Sequence, residues 1–144
     1  MKNVWSILCS KAVIDQMSNS LSLHDCIEEF TVSFNNPEDI KKELKQIPVS
    51  FDIVSLWHDE DINNERKVSY VSEIIDPRGE KLDGFTVEAN FEKGKKRLRT
   101  IAQIRGLKMT VEGTYLFKIK LKSEKKIIQV SETPIDIKFV LNIR

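Results

Sequence analysis

The stretch Val111–Leu121, "VEGTYLFKIKL", decides the fold. Tyr115, Phe117, Ile119 and Leu121 alternate with Leu116, Lys118, Lys120 and Lys122, so an extended chain carries an apolar face and a basic one. The same period of two recurs along the chain. Phe85, Val87, Ala89 and Phe91 alternate with polar neighbours, as do Ile135, Ile137, Phe139 and Leu141, and less cleanly Val68, Tyr70, Ser72 and Ile74. Strands apolar on one side and wet on the other belong to antiparallel sheets. Turn chemistry punctuates them. In "DPRGE" (Asp76–Glu80), Pro77 presets the first corner and Gly79 is free to take positive φ, which predicts a hairpin. Gly94 in "EKGKK" and Ser123 in "SEKK" mark two further turns. "NPEDIKKELKQI" reads as the one helix, over about residues 37–47. Asn36 caps it, Pro37 suits its first position, and Ile40, Leu44 and Ile47 form an apolar stripe before Pro48.

Roughly eight strands with one short helix predict an all-β antiparallel sandwich, with the helix closing one end. Gly113, two residues before Tyr115 at the start of an alternating strand, resembles the tyrosine corner of immunoglobulin-like folds. That resemblance implies a hydrogen bond from the Tyr115 hydroxyl to upstream backbone. The inter-sheet disulfide and central Trp of antibody domains are not evident, so immunoglobulin-like and C2-like sandwiches both fit. "SILCSKAV" as a first strand, "LSLHDCIEEF" as its hairpin partner, "IIDPRGEKL" and "EGTYLFKIKL" also resemble a group of small, little-characterised microbial and phage-associated β-sandwich proteins. The resemblance covers most of the chain. It implies a fold and brings no catalytic residues.

The chain of 144 residues is one domain's worth, residues 1–144, without repeat, linker or low-complexity tract. Cys9 and Cys26 lack framework spacing, which fits two free, buried thiols in a reducing compartment. The apolar run Val4–Cys9 is broken by Ser6 and closed by Lys11, too short for a signal or a membrane span. A cytoplasmic protein with no membrane partner is the expectation. The net charge of +1 conceals a division: residues 1–92 carry −9 and residues 93–126 carry +10.

Four constellations bear on chemistry. Asp59, Asp61 and Asn63, with Glu65, open like a calcium loop. Asn64 stands where that loop needs Gly and Tyr70 where it needs the bidentate Glu, and the flanks Val49–Trp57 and Lys67–Ile75 read as strands. The stretch is therefore expected to be the polar tip of a hairpin. Cys9, His24, Cys26 and His58 are zinc-ligand types without the spacing of a zinc cage. No nucleophile elbow, Cys–His signature or phosphate-cradling Gly loop is present, so no enzyme and no cofactor are expected. The basic segment 93–126 is the strongest hint. Alternation puts Arg97, Arg99 and Arg105 on one strand face and Lys118, Lys120 and Lys122 on another. These residues point to a non-enzymatic interaction module binding an acidic protein or a second copy. Nucleic acid is the alternative, and a divalent-metal module comes last.

Overall fold

The computed structural model describes residues 1–123 and 126–142, Gln129 by its backbone alone. Among the described residues the elements are β1 (Lys2–Ile14), β2 (Leu21–Cys26), β3 (Glu29–Phe34), α1 (Pro37–Lys41), β4 (Lys45–His58), β5 (Arg66–Ile75), β6 (Lys81–Phe91), β7 (Arg97–Met109), β8 (Gly113–Ser123) and β9 (Lys126–Leu141). They build two sheets, ordered β2-β1-β4-β7 and β3-β9-β8-β5-β6. Every neighbouring pair is antiparallel except β3 and β9, which run parallel. The molecule is an all-β sandwich, as the period-two pattern predicts.

The alternating residues do face the core. Tyr115, Phe117, Ile119, Ile135, Ile137, Val68, Tyr70, Ile74 and Phe91 are all buried. From the other sheet, β4 sends in Phe51, Ile53, Ser55 and Trp57. Burying each large apolar side chain contributes about 1.5–3 kcal/mol against exposure. Trp57, which lies on an inner strand and is fully buried, tilts against Tyr70 at 5.0 Å between ring centroids. A central core Trp is therefore present, hidden in the sequence beside the acidic run that follows it. Its Nε1 donates to Thr100 Oγ1 at 3.2 Å, and that hydroxyl also meets the Tyr70 hydroxyl at 2.8 Å.

The corner predicted at Tyr115 is formed. Its hydroxyl donates to the Val111 carbonyl at 2.6 Å and accepts from the Thr110 N–H at 2.9 Å. Gly113 sits at φ +144, where a Cβ would come within 2.9 Å of Pro77 Cγ. The β5–β6 hairpin turn thus packs directly on the corner. Asp76 joins the two, accepting from Thr110 Oγ1 at 2.6 Å and from the Glu80 and Arg78 N–H groups at 2.8 and 3.0 Å.

Three expectations about the elements need correction. The helix stops at Lys41, not near residue 47. Asn36 caps it as expected, accepting from Glu38 N at 3.1 Å. Lys42 is already extended and Leu44 is 55% exposed, because the chain from Lys45 is claimed by β4. Ile47 is buried opposite Leu107, and Lys45 Nζ donates to the Lys42 and Thr110 carbonyls, both at 2.6 Å. Pairing with a neighbouring strand outweighs the propensity of a short helix. Pro48, having no N–H to give, sits where the β4–β7 register breaks, opposite Gly106 at φ +83.

"LSLHDCIEEF" is not one strand. β2 stays with β1 while β3 crosses to the other sheet, the handover marked by Ile27 N to Leu8 O at 2.7 Å and Asp136 N to Glu28 O at 3.1 Å. Trp57–Lys67 is not a hairpin tip, since β4 and β5 belong to different sheets. It is a crossover, and Gly94 likewise turns the chain between sheets, from β6 to β7. The turn expected at Ser123 connects β8 to β9, and its Glu124 and Lys125 lie outside the described residues.

Candidate functional site

The basic residues divide between the two sheets: Arg97, Arg99 and Arg105 on β7, Lys118, Lys120 and Lys122 on β8. The β8 set lies in a charge ladder on the outer face. Lys120 Nζ contacts Glu73 Oε2 at 2.9 Å, and Lys81 reaches the same carboxylate at 3.7 Å. The hydrogen bond from Lys120 holds the Glu73 carboxyl below its ordinary value of 4.5, against the opposing effect of burial. Lys118 stands between Glu73 and Glu132 in the register, and Lys122 is exposed opposite Ile127. This face is internally neutralised in large part.

The β7 set is different. β7 is an edge strand, paired only with β4, so the other side of its backbone has no strand partner among the described residues. Arg97 and Arg105 carry no ion pair among the described residues. With Arg99, Ile101 and Gln103 they project away from the core, because the alternate residues Leu98, Thr100, Ala102 and Ile104 face inward.

Next to this edge the sheet has a second layer. Asp52, Val54 and Leu56 project outward from β4, between the inward residues Phe51, Ile53, Ser55 and Trp57. Yet Val54, and Cys9 opposite Asp52, are fully buried. The distal half of the β1–β2 hairpin folds back over them. Asp52 Oδ2 accepts from Ala12 N at 3.0 Å, and Arg99 Nη1 donates to the Asn19 carbonyl in the hairpin turn at 2.9 Å. β7 and β1 are separated by β4, so that last bond requires the hairpin to lie across the sheet. Asp25 at φ +50 and the Ser10 hydroxyl, bonded to His24 O at 2.9 Å and Asp25 Oδ2 at 3.1 Å, occupy the bend.

Between hairpin and sheet, and round the β7 edge at Leu98 toward the end of β6, runs a groove of about 1030 Å³. Trp5, Leu56, Leu98, Ile14, Leu21 and Leu23 give it apolar walls, and Lys95, Arg97 and Arg99 a basic rim, with Glu92 the one carboxylate beside them. Arg97 and Arg99 are legible in the sequence as a basic strand face; the apolar walls are less so. The signal was there in "VWSILC" and "FDIVSLW", where apolar residues occupy both strand parities, the mark of a strand buried on two faces. Two smaller cavities, about 590 and 370 Å³, flank Lys45 at the α1 end.

The metal candidates are placed as follows. Asp59 is ion-paired with Arg66 at 3.5 Å and with the N-terminal ammonium at 3.9 Å, and Asp61 accepts from the Asn63 N–H at 3.2 Å. Cationic and backbone donors thus take up Asp59 and Asp61, while Asn63 and Glu65 are exposed. His58, 3.6 Å from Glu60, pairs with Lys2 at one end of β1, while Cys9, Cys26 and His24 lie toward the other. Among the described residues no group of three or more His, Cys, Asp or Glu side chains could hold a metal ion, and no helix is long and apolar enough to cross a membrane. No protein-family model matches the chain, and no curated protein matches its sequence.

Proposed function

We propose that this protein is a non-enzymatic, immunoglobulin-like interaction module of a reducing, cytoplasmic setting, and that its partner is an acidic protein segment taken in extended form along β7. The observation that carries the reading is the open β7 edge, flanked by outward Arg97, Arg99 and Arg105 and by the apolar groove. A free strand edge supplies main-chain hydrogen bonds to an added strand, and flanking side chains select which strand. The positive rim favours carboxylates, while Trp5 and Leu56 accept the alternate apolar side chains.

The division of charge, −9 in residues 1–92 against +10 in residues 93–126, favours a second copy as one such acidic partner. A nucleic-acid role has less support, because the two basic sets do not merge into one stripe and Lys118 and Lys120 already face carboxylates. The test is fluorescence anisotropy with a labelled short peptide alternating Glu and Val. Saturable binding that weakens with salt and is lost in Arg97→Glu/Arg99→Glu supports the reading. Equal affinity for a Lys–Val peptide, or tighter binding to single- or double-stranded DNA or RNA, overturns it. Light scattering over a concentration series, repeated in high salt, tests the second copy.

A further inference from the structure

We propose that Cys9 and Cys26 form a modification site, a reversible cross-strand disulfide made by reaction with a hydroperoxide. The two residues face each other directly across β1 and β2. The next pair along is hydrogen-bonded, Ile27 N donating to Leu8 O at 2.7 Å, so Cys9 and Cys26 occupy the non-hydrogen-bonded position between rungs. Residues opposed in that position have Cα atoms about 4.5 Å apart and side chains on the same face. A disulfide spans Cα separations of about 4.4–6.8 Å, so this site needs little backbone movement. Both thiols are free, and each has a neighbour to react with.

Their surroundings assign the order of events. Cys26 is exposed, contrary to the expectation that both thiols are buried, and Cys9 is fully buried beneath the folded-back hairpin. Burial first, then Asp52 and Cys26 nearby, pushes the Cys9 thiol up, which keeps it protonated and unreactive toward solvent oxidants. Cys26 therefore meets the peroxide. Its thiolate attacks the terminal oxygen, the O–O bond breaks, and Cys26 becomes a sulfenic acid; the departing hydroxide (or alkoxide) takes up the proton that the Cys26 thiol released and leaves as water (or an alcohol). The Cys9 sulfur then attacks the Cys26 sulfur. The S–S bond forms, the S–O bond breaks, and hydroxide leaves as water with the Cys9 proton. Two thiols are oxidised and one peroxide is reduced, and a dithiol reverses the change.

The bond would clamp the base of the hairpin that walls the groove, next to the bend at Asp25. The inference rests on the register and on burial, and holds whether or not an acidic strand binds β7. Hydrogen peroxide added in slight excess to the reduced protein tests it. The expected product is an intramolecular disulfide: a monomer lighter by two hydrogens, with a tryptic fragment joining Asn3–Lys11 to Ala12–Lys41 and a raised melting temperature that dithiothreitol lowers again. Cys9→Ser is expected to accumulate a dimedone-trappable sulfenic acid at Cys26, and Cys26→Ser to leave the Cys9 thiol intact. Oxidation of wild-type Cys26 to sulfinic acid with Cys9 still reduced would overturn the proposal, as would a disulfide found only between copies.

Discussion

Tyr115 shows how one side chain holds a corner. Its hydroxyl both donates to Val111 and accepts from Thr110, so Tyr115→Phe leaves a buried N–H and a carbonyl unpaired. We expect a loss of about 1–3 kcal/mol, read by urea denaturation. The Asp76 carboxylate beside it is nearly inaccessible. Burial alone would push its pKa up, yet the Thr110 hydroxyl, the Glu80 and Arg78 N–H groups and the Arg78 guanidinium bring it below the ordinary 3.8. Glu73 is likewise held low. Groups depressed in the folded state contribute stability that is full above their ordinary values and is lost as pH falls through the folded ones. Thermal melts should therefore be flat from neutral pH to about pH 5 and fall below it. Asp76→Asn should be less stable at neutral pH and lose less on acidification; an unchanged slope would show that Asp76 is not a source of the acid sensitivity. Tyr115, Gly113, Pro77 and Gly79 were legible in the sequence because corner and turn chemistry is local. The Asp76–Thr110 bond was not, since it joins residues from two separate turns.

At the scale of elements, the inward faces of β5, β6, β8 and β9 could be read directly, because each has one wet side. The elements misread were those where tertiary demands outweigh local pattern. β4 takes over the C-terminal half of the expected helix, and the crossover Trp57–Lys67 looks like any polar turn until the strands' sheet membership is known. The folded-back hairpin is the least legible element, since its cover of Val54 and Cys9 depends on a bend at Ser10 and Asp25 and two long-range bonds, from Ala12 N to Asp52 and from Arg99 to Asn19. Arg99→Ala removes that bond. Amide exchange in β2 and the tip around Asn19 should speed up, while protection in β8 and β9 stays unchanged. Uniformly faster exchange across both sheets would mean that Arg99 supports the whole fold rather than the hairpin.

At the scale of the molecule, charge and topology act together. The chain's acidic and basic segments are separated in sequence, yet the sandwich sets Lys118 and Lys120 beside carboxylates on the face of one sheet and leaves the β7 arginines at the edge of the other. Sequence alternation identified both sets correctly as strand faces; which of them keeps its charge available depends on strand order, a long-range property. The open β7 edge beside an apolar groove is the central claim, and amide-resolved hydrogen exchange tests it most directly. With the Glu–Val peptide at saturation, amides of β7 between Arg97 and Arg105 that point away from β4 should gain protection, and Arg97→Glu/Arg99→Glu should abolish the gain. Protection appearing instead on the outer face of β8, or no change anywhere at saturating peptide, would contradict the account.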